Sequence, residues 1–287
     1  MIHSVLERVA SARRGEAGLP YLVIENALPA DYYEALAACY PNVASFADPD
    51  AMPSNKAFRL PAVRAQNDPA VPPLWRTFIA RHTSAAFFHE LVRLWAPEIE
   101  WFYPDFADNF GRLPQDFSVG LRQPGKEMSP ANREHDAVLD CQPSINTPVR
   151  KASSVRGVHL DSRFKLFAGL LYFRRPDDDD SGGNLEFYRL KPGGSLAPRT
   201  WKIAPEHVER VDTIPYRANT LVLFLNTPQS IHGVSPRGVT RVERRYVNFL
   251  AECYRGRRDD YLVPREPWHG EVVRRAGQLW RRIKLAA

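Results

Sequence analysis

The feature that most limits how this chain can fold is its texture after about residue 116. "DFSVGLRQP", "VLDCQPSINTPV", "GVHLD", "FAGLLYFRR", "NLEFYRL", "TLVLFLN", "SIHGV" and "RRYVNFLAE" are short runs of β-branched, aromatic and leucine residues parted by Pro, Gly, Asn and Asp. Many short strands divided by such turns indicate an antiparallel sandwich or barrel. Upstream the apolar spacing is three and four, which predicts helices. One opens at Pro29 and Ala30 with Asp31 in its first turn, and another runs from about Val71 to Trp95, stopping before Pro97. A short strand, "YLVIEN", precedes them, and the tail "REPWHGEVVRRAGQLWRRIKL" returns to helical spacing. The expected organisation is one domain: a mainly helical part over 1–115, a β core over 116–255 and a helical tail over 256–287.

Composition removes several classes of function. The 287 residues can bury a sizeable core, and no stretch approaches the roughly 18 apolar residues of a membrane span. The N-terminus meets charge every few residues and lacks a signal-peptide apolar region, so a cytoplasmic address is expected. Cys39, Cys141 and Cys253 are widely spaced and form no C-x-x-C pair, which argues for small buried hydrophobes rather than disulfides or a cysteine zinc site. The net charge of +6 comes mainly from arginine, but the arginines are scattered, which weighs against nucleic acid as a partner. Dinucleotide, P-loop and nucleophile-elbow motifs are absent. "PDDDDSGG" lacks EF-hand spacing and is expected to be a solvated hairpin tip, with Gly182 and Gly183 in a tight turn before a strand. His135-Asp136 is expected at the surface.

On a strand, alternate residues share a face, so His159 and Asp161 point to the same side. Downstream, the apolar strand "TLVLFLN" leads through a turn to His232. Two histidines and one carboxylate on one face of a metal make the facial triad of non-haem Fe(II) oxygenases, which leaves positions open for a co-substrate and O2. On the following strand Arg245, Val247 and Phe249 lie on one face, and Arg244, Tyr246 and Asn248 on the other. An inward guanidinium there suits bidentate pairing with a carboxylate, such as the distal carboxylate of 2-oxoglutarate.

The order of these segments, H-x-D, "LLYF", "GGNLEFY", "NTLVLFLN", His and then "RRY", resembles the Fe(II)- and 2-oxoglutarate-dependent dioxygenases, in their prolyl-hydroxylase and phytanoyl-hydroxylase branch. The resemblance covers residues 140 to 252 and reaches more weakly into "PYLVIENALPADYYEAL" and "HTSAAFFHELV". It implies a mainly β fold with flanking helices, whose core is a double-stranded β-helix (a cupin-like jelly roll) with iron between its sheets. It also implies that His159, Asp161 and His232 are the catalytic iron ligands, that Arg245 binds the far carboxylate of 2-oxoglutarate, and that Tyr172 donates to the same carboxylate. Asn146 could reach co-substrate or substrate. The interval from His232 to Arg245 is longer than in the family, so Arg241 and Arg244 remain alternatives for the clamp.

The implied activity is hydroxylation with Fe(II), 2-oxoglutarate and O2, releasing succinate and CO2. The carboxylate of Asp161 argues for hydroxylation over halogenation. Lys165 is either a turn cation pairing with the acidic run or a substrate contact. The long segment 191–217 has the character of a binding loop. The basic surface favours an anionic small molecule or sugar derivative, and a peptide or protein side chain fits the same pattern. The alternatives are a cupin-like metal-binding protein or isomerase without oxygen activation, and an oxidative demethylase of nucleic acid.

Overall fold

In a computed structural model the chain is described over residues 2–42, 52–125, 129–194 and 202–256. The expected tail helix lies outside the described residues, as do residues 195–201 of the long segment. The helices are α1 (Ala30–Ala38), α2 (Ala62–Asn67), α3 (Pro73–His82), α4 (Ala85–Leu94), α5 (Ala96–Phe102) and α6 (Phe106–Phe110). The strands are β1 (Arg13–Arg14), β2 (Tyr21–Glu25), β3 (Ala57–Arg59), β4 (Val119–Leu121), β5 (Ala137–Asn146), β6 (Lys165–Tyr172), β7 (Leu185–Leu190), β8 (Val208–Ile214), β9 (Thr220–Leu225), β10 (Ile231–Val234) and β11 (Arg244–Glu252).

A larger sheet runs in the order β1-β2-β9-β6-β11-β5-β3, with β4 parallel to β5, and a smaller one runs β10-β7-β8. After β6 the chain crosses to the smaller sheet for β7 and β8, returns for β9, crosses again for β10 and returns for β11. This alternation is the winding of a double-stranded β-helix. β9 reads as an unbroken apolar run because both of its faces are covered. Leu221, Leu223 and Leu225 pack with the helices in the main core, while Val222 and Phe224 join Tyr172, Phe187 and Tyr246 between the sheets.

β11 divides the same way. Val247, Phe249 and Ala251 face the helical layer with Trp75 and Phe78, and Tyr246 faces the space between the sheets. A side chain such as Phe249, 3% exposed, contributes about 1.5–3 kcal/mol by leaving water.

Three expectations need correction. The helix expected over Val71–Trp95 is two helices. Ser84 breaks it, accepting from the Phe87 amide at 3.2 Å as the N-cap of α4, so the orphan amide is satisfied locally. "PDDDDSGG" is a solvated tip only in part: Pro176, Asp177, Asp179 and Ser181 are exposed, but Asp178 is buried and Asp180 half-buried beside Arg237, with Asp180 Oδ2 accepting from its Nε at 3.1 Å. His135-Asp136 is not a surface pair. Asp136 is buried, accepting from the Ser118 amide at 2.9 Å and its hydroxyl at 2.8 Å, with Arg112 and Arg255 adjacent. Cys141 and Cys253 are buried as expected, whereas Cys39 is half-buried. No helix among the described residues is long and apolar enough to cross a membrane.

Candidate active site

His159 adds to the edge of the smaller sheet beside β10. Its amide donates to the His232 carbonyl at 2.8 Å, and the His232 amide donates back to the His159 carbonyl at 3.0 Å. Such a reciprocal pair sets two residues directly opposite each other in an antiparallel ladder, and their ring centroids lie 4.2 Å apart. The turn before His232 is held by Ser230, whose hydroxyl donates to the Leu225 carbonyl at 2.6 Å and accepts from the Thr227 amide at 3.1 Å.

Each ring uses Nδ1 on a carbonyl two residues back, His159 on Gly157 and His232 on Ser230, both at 2.8 Å. A carbonyl can only accept, so Nδ1 carries the proton and Nε2 keeps its lone pair. Both Nε2 atoms point at Asp161, 3.8 Å from Oδ1 for His159 and 3.8 Å from Oδ2 for His232. One ligand atom from each of the three residues lies within 4.8 Å of the others.

The electrostatics fit a cation between them. Burial pushes the His159 imidazole down to about 2, helped by the neighbouring His232, and burial lowers His232 as well. Burial alone would raise the Asp161 carboxyl. Lys165 and the two histidines outweigh it and hold the group well below the usual carboxylate range. Two neutral imidazoles and one carboxylate are the donor set and protonation state that a divalent first-row metal requires. Lys165 does not reach the acidic run. Its Nζ donates to Asp161 Oδ1 at 3.0 Å.

A second group of polar atoms gathers on the site-facing side of the larger sheet. Arg244 is 2% exposed and lies among the rings of Tyr172, Tyr216 and Tyr246, at 5.0, 4.6 and 4.8 Å from their centroids. Its Nε donates to the Gly183 carbonyl at 3.0 Å and Nη1 to Asn146 Oδ1 at 3.3 Å. Nη2 has no hydrogen-bond partner, nor do the Tyr172 hydroxyl and Asn146 Nδ2 beside it. Burial pushes the Tyr172 phenol up to about 12 against the opposing effect of Arg244, so it remains a donor.

The structure thus brings His159, Asp161 and His232 together, and Tyr172 and Asn146 as well, but it corrects the arginine. Arg245 points to the opposite side of β11, half-buried over the Tyr40 ring, with Nε donating to Glu243 at 2.7 Å. Arg241 is exposed. The face with Val247 and Phe249 is indeed apolar, but the helices cover it. The other face carries Arg244 and Tyr246 toward the space between the sheets. Sequence reasoning also missed Tyr216 and the role of Gly183. Tyr216 is pinned by a hydroxyl that donates to the Arg245 carbonyl and accepts from its amide. Gly183 has φ +76°, and a Cβ there would stand 3.1 Å from the Arg244 side chain. The doubled glycine was the visible signal for it.

No family model matches this chain, and no curated protein matches it. Among solved structures it is similar to a Pseudomonas putida prolyl-4-hydroxylase (16% identity, 87% of this chain and 97% of that one, TM-score 0.42). It is similar also to prolyl 4-hydroxylases from Phytophthora capsici (16% identity, 90% and 68%, TM-score 0.47). A third likeness is to HygX from Streptomyces hygroscopicus, solved with nickel and 2-oxoglutarate bound (14% identity, 82% and 84%, TM-score 0.37). Likenesses this distant carry no weight, and the chemistry rests on the residues described above.

Proposed function

We propose that this protein is an Fe(II)- and 2-oxoglutarate-dependent oxygenase that hydroxylates a C–H bond. The observation that carries the reading is Arg244. It is a buried guanidinium with no carboxylate partner among the described residues, set over Tyr172 and Tyr246 in the inter-sheet cluster whose Phe187 and Phe224 rings pack against His232 of a buried triad of metal donors. A buried charge without a counter-ion costs up to several kcal/mol, only partly offset here by the tyrosine rings, which supports an anion bound at that place. A metal-binding protein or isomerase without a co-substrate acid gives no reason for such a cation.

In this reading His159 Nε2, His232 Nε2 and a carboxylate oxygen of Asp161 hold Fe(II). The metal, with 2-oxoglutarate and O2, supplies oxidative decarboxylation to succinate and CO2 coupled to hydroxylation. The far carboxylate of 2-oxoglutarate accepts from Arg244 and from the Tyr172 hydroxyl, and Asn146 Nδ2 is the third donor with nothing else to satisfy. The tyrosine rings around Arg244 exclude water, which strengthens each of these bonds. Gly183 and Asn146 fix the guanidinium in advance, so little is lost in orienting it when the anion arrives. Exposed Arg156, whose charge weighs on both imidazoles, makes the nearby rim basic. That rim favours an anionic small molecule or sugar derivative as substrate.

Adding 2-oxoglutarate to the anaerobic Fe(II) protein should produce a weak visible charge-transfer band, and admitting O2 should yield succinate. Absence of both the band and succinate would rule the reading out.

A further inference from the structure

We infer that Lys165 is a positioning residue that restricts Asp161 to one metal-binding oxygen. The inference rests on the metal reading above. Lys165 Nζ donates to Asp161 Oδ1 at 3.0 Å, with both side chains largely buried. No group among the described residues donates to Oδ2, which faces His232 Nε2.

The contact is built into the backbone. The Lys165 amide donates to the Ser162 carbonyl at 3.0 Å, and buried Asn226 donates through Nδ2 to the carbonyls of both Ser162 and Lys165, each at 3.0 Å. That staple fixes the turn between the carboxylate and the lysine. Glu252, the cross-strand neighbour of Lys165, is the other carboxylate within its register. It is taken by Arg122 and the Tyr254 hydroxyl, so the lysine is left to Asp161.

The consequence is a matter of counting. Three protein donors leave three positions on an octahedral ion. A bidentate co-substrate takes two of them, and O2 needs the third. If Asp161 chelated through both oxygens, one position would be lost. Lys165 engages Oδ1 and keeps the count at three.

The test uses Mn(II) as probe and reads water-proton relaxation, which reports the exchangeable waters on the ion. The full-length protein is compared with Lys165→Met and Lys165→Arg. In Lys165→Met the enhancement per bound ion should fall by about a third, as three open positions become two. With saturating 2-oxoglutarate the Mn(II) form of the parent should keep one exchangeable water and that of Lys165→Met none, because the co-substrate takes both of the positions left to it. A second Asp161 oxygen on the ion should offset the lost partner, so Mn(II) affinity should fall by less than the roughly 10–100-fold usual for such a loss, and Lys165→Arg should restore the parent behaviour. Weaker Mn(II) binding with unchanged relaxation per ion would assign Lys165 to loop structure alone and overturn the inference, as would a variant identical to the parent. Lys165→Gln carries the same comparison if Lys165→Met does not fold. Failure of the parent protein to bind Mn(II) at all would instead overturn the metal reading itself.

Discussion

Arg244 and Arg245 are adjacent in β11 and lead to opposite sides of the larger sheet. One is enclosed by three tyrosine rings; the other is half-buried against Glu243 and Tyr40. Only the first shares a face with Tyr172. Arg244→Ala should therefore cost roughly 3–5 kcal/mol of 2-oxoglutarate binding, because the bound carboxylate is left uncompensated. That is about two to four powers of ten in the dissociation constant. Arg245→Ala and Arg241→Ala should stay within about tenfold. Calorimetric titration of the anaerobic metal-loaded variants decides the ranking, and the reverse order would remove Arg244 from the clamp.

This pair also marks the limit of what the sequence discloses. His159, Asp161 and His232 were legible because a two-residue period puts the first two on one face, and a turn after an apolar strand brings the third back. The choice between Arg244 and Arg245 was not legible. Alternation separates the two faces of a strand without saying which face a helical layer will cover. Here the apolar face of Val247 and Phe249 meets α3 and α4, so the other face is left for the space between the sheets. The buried positions of Asp136 and Asp178 and the half-buried one of Asp180 were hidden for a related reason. Their partners Ser118 and Arg237 are far away in sequence, so local polarity reads as exposure.

The triad makes a sharper demand. His159→Ala, Asp161→Ala and His232→Ala each remove a donor rather than an outer partner. Each should thus weaken Fe(II) or Mn(II) binding by more than the roughly 10–100-fold that loss of an outer partner costs. Metal titration followed by equilibrium dialysis measures this. A variant that kept parental affinity would not have lost a ligand.

Stability should depend on His82 at mildly acid pH. The ring is buried between α3 and the N-terminal segment, with Nδ1 donating to the Phe78 carbonyl at 2.7 Å and Nε2 accepting from the Val5 amide at 3.1 Å. Burial pushes its folded-state value down to about 3 from 6.5. Between those values the unfolded chain binds a proton that the folded chain refuses, so stability falls as pH drops through 6.5 and continues to fall toward 3. From pH 8 to pH 5 this one group should remove about 2 kcal/mol. Urea unfolding of the parent and of His82→Gln at the two pH values isolates the effect. An equal acid loss in both proteins would show that His82 is not its source.

Gly183 should couple the turn before β7 to the co-substrate site. Its φ of +76° is open to glycine but costs another residue about 1–2 kcal/mol. A Cβ would also stand 3.1 Å from Arg244 Cδ and Nε and 3.3 Å from Arg237 Cδ. Arg237 cannot readily give way, since it is held by Asp180 and by the Val242 carbonyl. Arg244 is the side chain that must shift, and with it goes the bond from its Nε to the Gly183 carbonyl. Gly183→Ala should lower stability by about the strain cost and should also raise the 2-oxoglutarate dissociation constant by about tenfold or more, a displaced guanidinium losing roughly one charge-assisted hydrogen bond. Metal affinity should be unchanged, because neither histidine nor Asp161 touches this turn. Chemical denaturation and 2-oxoglutarate titration of one preparation measure both effects. A loss of stability with undiminished 2-oxoglutarate binding would mean that Arg244 does not hold the co-substrate from the position Gly183 gives it.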